Sequence, residues 1–167
     1  MGVFAYITIN RTEQSIQPLS KKVSDRVGQL WSAANQGIRQ HKYLRAERAL
    51  LTILKFDKKN AAAYSRLGII YARQKEYKDS IECFEIASSI EPCASSLHNL
   101  GLIYYETEKY EKAALAFENA LELEDDLAAR YIAYAKVQEK LGNTHKVVEA
   151  LENAVRLEKN KQTVNLL

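Results

Sequence analysis

Glycine and proline are scarce in this sequence, with six and two among 167 residues. Both residues punctuate turns, so their scarcity disfavours an all-β fold of many short strands and favours helices. Cysteine is nearly absent too. Cys83 and Cys93 are too few and too awkwardly spaced for a zinc site and supply no disulfide scaffold, so reduced structural thiols are expected. No stretch approaches the roughly 20 apolar residues that cross a bilayer. The opening residues also lack the basic region, long apolar core and cleavage site of a secretory signal. Glycine-rich phosphate loops, paired-histidine metal motifs and strained nucleophile turns do not occur, and His41, His98 and His145 lie far apart. Neither an enzyme nor a cofactor or metal is expected. The expected location is the cytoplasm, either free or at the cytoplasmic face of a membrane.

What the chain does have is 47% apolar residues, rich in Ala, Leu and Tyr, and a register that recurs. Placing Gly68 on Gly101 aligns Tyr64 with Leu97, Leu67 with Leu100, Tyr71 with Tyr104, Tyr77 with Tyr110, Phe84 with Phe117 and Ala87 with Ala120. Leu67, Gly68 and Tyr71 fall along one side of a helix, where glycine lets a neighbouring helix approach closely. Ser80, Phe84 and Ala87, at i, i+4 and i+7, form a stripe on a second helix that packs back on the first. Tyr77 sits at the turn between them.

These residues resemble the tetratricopeptide repeat, a helix-turn-helix unit of about 34 residues. The resemblance is strong over residues 61–93, through Tyr64, Leu67, Gly68, Tyr71, Phe84, Ala87 and Pro92, with Ser80 in a slot the family fills with Ala. Residues 94–127 carry it through Leu97, Leu100, Gly101, Tyr104, Ala113, Phe117 and Ala120, with Asp125 in place of Pro. Two weaker copies flank them. Residues 128–161 keep Tyr131, Tyr134, Gly142, Leu151 and Ala154, with Ala135 in the glycine slot; residues 27–60 keep Tyr43, Ala46, Leu50 and Ile53, with Ala33 and Ala34 in the Leu-Gly slots. The resemblance implies an all-α, right-handed superhelical solenoid of about four repeats. The expected organisation is an N-terminal segment 1–17, a repeat domain 18–161 and a tail 162–167. A stripe of Leu19, Val23, Val27, Leu30, Ala34 and Ile38 behind Pro18 starts the first helix early. Trp31 lies beside it, suited to core or groove.

The two ends raise separate questions. Residues 3–9, VFAYITI, are the most apolar run, yet seven helical residues reach only about 10 Å, roughly a third of a bilayer core. One reading packs them on the solenoid or leaves them disordered. A second takes them as the stump of a longer membrane anchor, because Asn10 and Arg11 end the run abruptly and Lys21, Lys22 and Arg26 follow as a basic flank. Myristoylation at Gly2 fits poorly, since Tyr6 occupies the Ser/Thr position. At the other end, QTVNLL is too short for a polar capping helix. One reading covers Val147, Leu151 and Ala154 internally; another has Val148, Val155 and Leu166 or Leu167 meeting another chain.

In a solenoid of the resembled kind the first helix of each repeat lines the concave side. Carried onto this chain, the family's ligand-contact positions give Asn35, Arg39, Ser65, Ile69, Arg73, His98, Leu102, Tyr105, Ile132 and Lys136, with Trp31, Glu106 and Lys140 beside them. Mixed apolar and cationic residues suit an extended peptide or helix bearing apolar anchors and acidic groups. A subset of the family grips acidic chaperone tails, but here those slots hold Trp31, Asn35, Arg66, Ser95 and Asn99, and only Asn35 agrees, so that carboxylate clamp is rejected. The implied function is a non-enzymatic protein-interaction scaffold with a protein or peptide partner. Self-association through an uncapped last repeat and contact with an anionic membrane near the N-terminus are further expectations. The alternative is nucleic-acid binding, since related helical repeats read RNA. Charge argues against it: net charge is +3, and residues 61–127 hold 13 acidic and 6 basic side chains, which repel phosphate.

Overall fold

The computed structural model describes residues 21–164, with side chains as far as Asn160. They form α1 (Lys21–Arg39), α2 (Tyr43–Phe56), α3 (Ala61–Arg73), α4 (Tyr77–Ile90), α5 (Ala94–Glu106), α6 (Tyr110–Leu123), α7 (Ala128–Lys140) and α8 (Thr144–Val164), with no strand among them. Each odd-numbered helix packs most extensively on the even-numbered helix that follows, and each even-numbered helix packs on the next odd one. The result is a solenoid of helical hairpins. Residues 1–20, including the apolar run at 3–9 and the early start at Pro18 and Leu19, lie outside the described residues. Among those described, no helix is long and apolar enough to cross a membrane.

Inside each hairpin the closest approach is set by one small residue and one large one. A methyl group added to Gly68 would lie 2.8 Å from the Phe84 ring, and one added to Gly101 would lie 2.9 Å from Phe117. Both phenylalanines are fully buried. In the first hairpin Ala34 occupies the glycine slot and Leu50 the phenylalanine slot, both fully buried, so a smaller partner makes room for the extra methyl. Ser80 sits at the same crossing as Phe84, and its Oγ donates to the Gly68 carbonyl at 2.9 Å. Serine therefore replaces alanine there without leaving a buried hydroxyl unpaired.

The fourth hairpin departs from expectation. Ala135 fills the glycine slot and Ala154 is buried as expected, with Ala150 buried beside it, but Leu151, covered internally in one of the two readings, is 43% exposed. The reason is positional: no helix follows α8 among the described residues, so nothing covers its outer side. The helix also continues to Val164, past residue 161.

Every odd-to-even turn has the same backbone. The 6→1 bonds Lys42 N–H to Gly37 O, Glu76 to Tyr71, Lys109 to Tyr104 and Asn143 to Gln138, at 2.8–2.9 Å, close four Schellman caps. The left-handed residues in them are His41 (φ 58°), Lys75 (63°), Glu108 (59°) and Gly142 (76°). Only the last carries no Cβ penalty. Between hairpins a second element recurs: the hydroxyls of Tyr71, Tyr104 and Tyr134 donate to the carboxylates of Glu47, Glu85 and Glu118 on the preceding even-numbered helix. Burial and the carboxylate hydrogen bond push the phenols of Tyr71 and Tyr104 up, so both stay protonated.

Two outcomes follow for stability. Since a left-handed L-residue is strained by roughly 1–2 kcal/mol, part of which glycine's greater unfolded-state entropy offsets, Lys75→Gly or Glu108→Gly should stabilise by about 0.5–1 kcal/mol in urea unfolding. Gly142→Ala should destabilise. Gly101→Leu should lower stability by about 1–3 kcal/mol through overpacking on Phe117, and a thermal melt unchanged from wild type would contradict that placement.

Candidate functional site: the odd-helix face

Along the stack α3 touches α5 and α5 touches α7 directly, whereas no pair of even-numbered helices meets to that extent. The odd helices thus form the inner row and the even helices fan outward. Two contacts tie this row together, and one charge effect reaches across it. The Arg66 guanidinium lies over the Trp31 ring at 5.4 Å, joining α1 to α3. Ser65 and Ser96 share a hydroxyl hydrogen bond of 2.6 Å between α3 and α5. Arg130 of α7 lies near enough to His98 of α5 to act on its charge. The Trp31 ring also packs against the core cluster shared by α1, α2 and α3.

The ten expected contact residues fall into three groups. Arg39, Arg73, Leu102, Ile132 and Lys136 are exposed. The apolar side chains of Leu102 (39% exposed) and Ile132 (42%) stand on the touching helices α5 and α7. Arg39, Arg73 and Lys136 make no ion pair among the described residues. Asn35 and His98 are half-buried, each with one buried polar atom, Oδ1 and Nδ1, that has no hydrogen-bond partner among the described residues. Ser65, Ile69 and Tyr105 belong largely to the scaffold. Ser65 is occupied by Ser96, Ile69 packs on the core, and the Tyr105 ring meets Tyr110 edge-on at 5.6 Å.

Arg130 is the residue that pattern reading passes over. It is 3% exposed, and its guanidinium donates to the Glu124 carbonyl at 2.9 Å and to the Glu124 carboxylate at 2.6 Å, with Asp126 at 3.9 Å. It pins the α6–α7 connection where Asp125 stands in place of the repeat's proline. The run Glu124, Asp125, Asp126 just ahead of it is the signal that a buried cation waits nearby. The His98 ring meets Phe117 in a T-shaped arrangement with centroids 5.3 Å apart. Burial first, and Arg130 second, hold the imidazole below its ordinary pKa. The inner row therefore keeps an uncharged imidazole at His98 near neutral pH, while its exposed expected contacts are the cations Arg39, Arg73 and Lys136 beside the apolar Leu102 and Ile132. Among the described residues no group of three or more His, Cys, Asp or Glu is placed to hold a metal.

Residues 59–124 match the tetratricopeptide repeat family. In solved structures the chain is similar to MamA, at 21% identity over 85% of this chain and 84% of that one, with a TM-score of 0.77. It is also similar to the first such domain of Spaghetti (RPAP3) bound to the HSP90 peptide SRMEEVD, at 20% identity over 71% and 95% of the two chains (TM-score 0.67). A third is the O-GlcNAc transferase of Thermobaculum terrenum, at 22% identity over 72% of this chain and 23% of that one (TM-score 0.66). No curated protein matches in sequence.

The His98 environment gives a pH prediction. A histidine whose folded pKa lies below its unfolded value of about 6.5 contributes stability that is present above that value and lost as pH falls through the folded pKa. Unfolding free energy should therefore decline below about pH 6.5, and His98→Gln should flatten that part of the profile. An identical acid limb in the variant would assign the loss to other groups.

Proposed function

We propose that this chain, whose residues 59–124 match the tetratricopeptide repeat family, is a non-enzymatic scaffold whose odd-helix face binds an extended segment of another protein. One observation carries the reading: Leu102 and Ile132 stand exposed on touching inner helices, with Arg73 and Lys136 on the same row and unpaired among the described residues. A segment with apolar side chains for the first pair and carboxylates for the second fits that row. The neighbouring RPAP3 domain holds a peptide ending in Glu-Val-Asp. A grip of the same type is disfavoured here, because two of its slots hold Trp31 and Arg66, which are stacked on each other. The partner chemistry is therefore apolar and acidic side chains rather than a chain-terminal carboxylate. Nucleic acid is a weaker fit, since the middle repeats, residues 61–127, hold 13 acidic against 6 basic side chains.

The test is selection of a peptide from a displayed random library, followed by titration against variants. Arg73→Glu, Lys136→Glu and Leu102→Ala should each weaken the selected peptide by about tenfold or more, 1.4 kcal/mol, with melting unchanged. Glu122→Lys on the outer side should not. The opposite pattern moves the site to the even helices, and a salt-sensitive shift with RNA in place of peptide binding overturns the reading.

A further inference from the structure

We propose that α8 is a self-association surface, through which two copies of this chain pair by an antiparallel two-fold contact. The proposal concerns the end of the stack and stands apart from the peptide-binding face. Val148, Leu151 and Val155 are 51%, 43% and 53% exposed, and with Glu152, Arg156 and Lys159 they line a shallow depression of about 510 Å³. Their spacing runs them along one line of the helix, and Glu149, Glu152, Arg156 and Lys159 follow the same flank of that line. The order along the flank is two acids and then two bases.

That order selects the occupant and its orientation. In a two-fold contact the same patch meets itself, so it must be complementary to its own rotated copy. With the axis perpendicular to the helices, the charged flank of one α8 faces the charged flank of the other, running backwards. Glu152 then lies opposite Arg156 of the second copy and Glu149 opposite Lys159, each pair occurring twice, while the two apolar lines overlap around Leu151 and Val155. A parallel two-fold instead lays the charged flank against the apolar line, which buries charge without a partner. Only the antiparallel pairing satisfies both halves of the stripe. Three half-exposed aliphatic side chains make a small core, so the contact falls at the low end of specific interfaces and the dimer is weak.

The test is sedimentation equilibrium of the full chain at concentrations up to about 1 mM, where a weak dimer is populated. Wild type should show a reversible monomer–dimer equilibrium. Glu152→Arg alone places like charges together, as does Arg156→Glu alone, and each should weaken the dimer at least tenfold. Mixing the two variants should restore it. The new base at position 152 of the first variant then faces the new acid at position 156 of the second, and the native Arg156 of the first faces the native Glu152 of the second. That rescue distinguishes pairing between chains from any i, i+4 interaction within one helix. Val155→Asp should also give a monomer with unchanged helicity. A wild-type chain that stays monomeric at the highest concentration overturns the proposal, and so does a dimer that none of these changes weakens or whose charge variants fail to pair when mixed.

Discussion

The contact between a glycine on one helix and a phenylalanine ring on the next is the constraint from which the rest of this solenoid follows. At Gly68 and Gly101 even one methyl would fall inside the van der Waals distance of the ring. In each central hairpin the ring thus rests directly on the glycine of the facing helix, in the space where any side chain would stand. A hairpin made this way has little depth, so its core cannot be completed alone. Phe84, Phe117 and Tyr134 share one buried cluster that runs across hairpins. Stability in such a chain is a property of neighbours, and the terminal units, with one neighbour each, are the ones that change.

Two repeated polar devices keep the stack regular. The Schellman caps fix the angle between the helices of a hairpin, and they hold the left-handed backbone even where His41, Lys75 or Glu108 must tolerate it. The tyrosine–glutamate bonds fix one hairpin against the next, from the outer side. With angles set inside and between hairpins, the odd helices are held in a row to which only a few of its own side chains, such as Ser65 and Ser96, add a tie. The inner face is then free to vary in composition, which is how one architecture presents different surfaces to different partners.

The last hairpin shows what happens when the repetition stops. The position that holds Phe117 in the third hairpin holds Leu151 in the fourth, yet α8 presents alanines inward and leaves the leucine outside. With no following helix among the described residues, inward rotation of the leucine would complete no cluster. The outer side of α8 keeps its apolar line, bordered by two acids and then two bases.

The repeat was legible because its signals are local: Gly68 and Phe84, or Gly101 and Phe117, recur in register, and a helical period needs no knowledge of the partner. The helices and their pairing descend from that period, whereas the inner position of the odd row and the list of its side chains were what the resemblance to the tetratricopeptide repeat implied. What residue spacing does not carry is which neighbour each side chain finds. Ser65 and Tyr105 sit at contact positions but are engaged within the scaffold, by Ser96 and by Tyr110, because the stacked helices bring those groups within reach. Arg130 became a buried strut because the α6–α7 connection folds its carbonyl and carboxylate onto the guanidinium, an arrangement that exists only once both helices are docked. The sequence by itself determined the period, the helices and the size of the residue at each crossing, since these depend on residues a few positions apart. The tertiary structure alone decided which inner-face groups remain available, where the buried cation lies and that Leu151 faces out, because each depends on contacts between helices distant along the chain or on the lack of a further helix beyond α8 among the described residues.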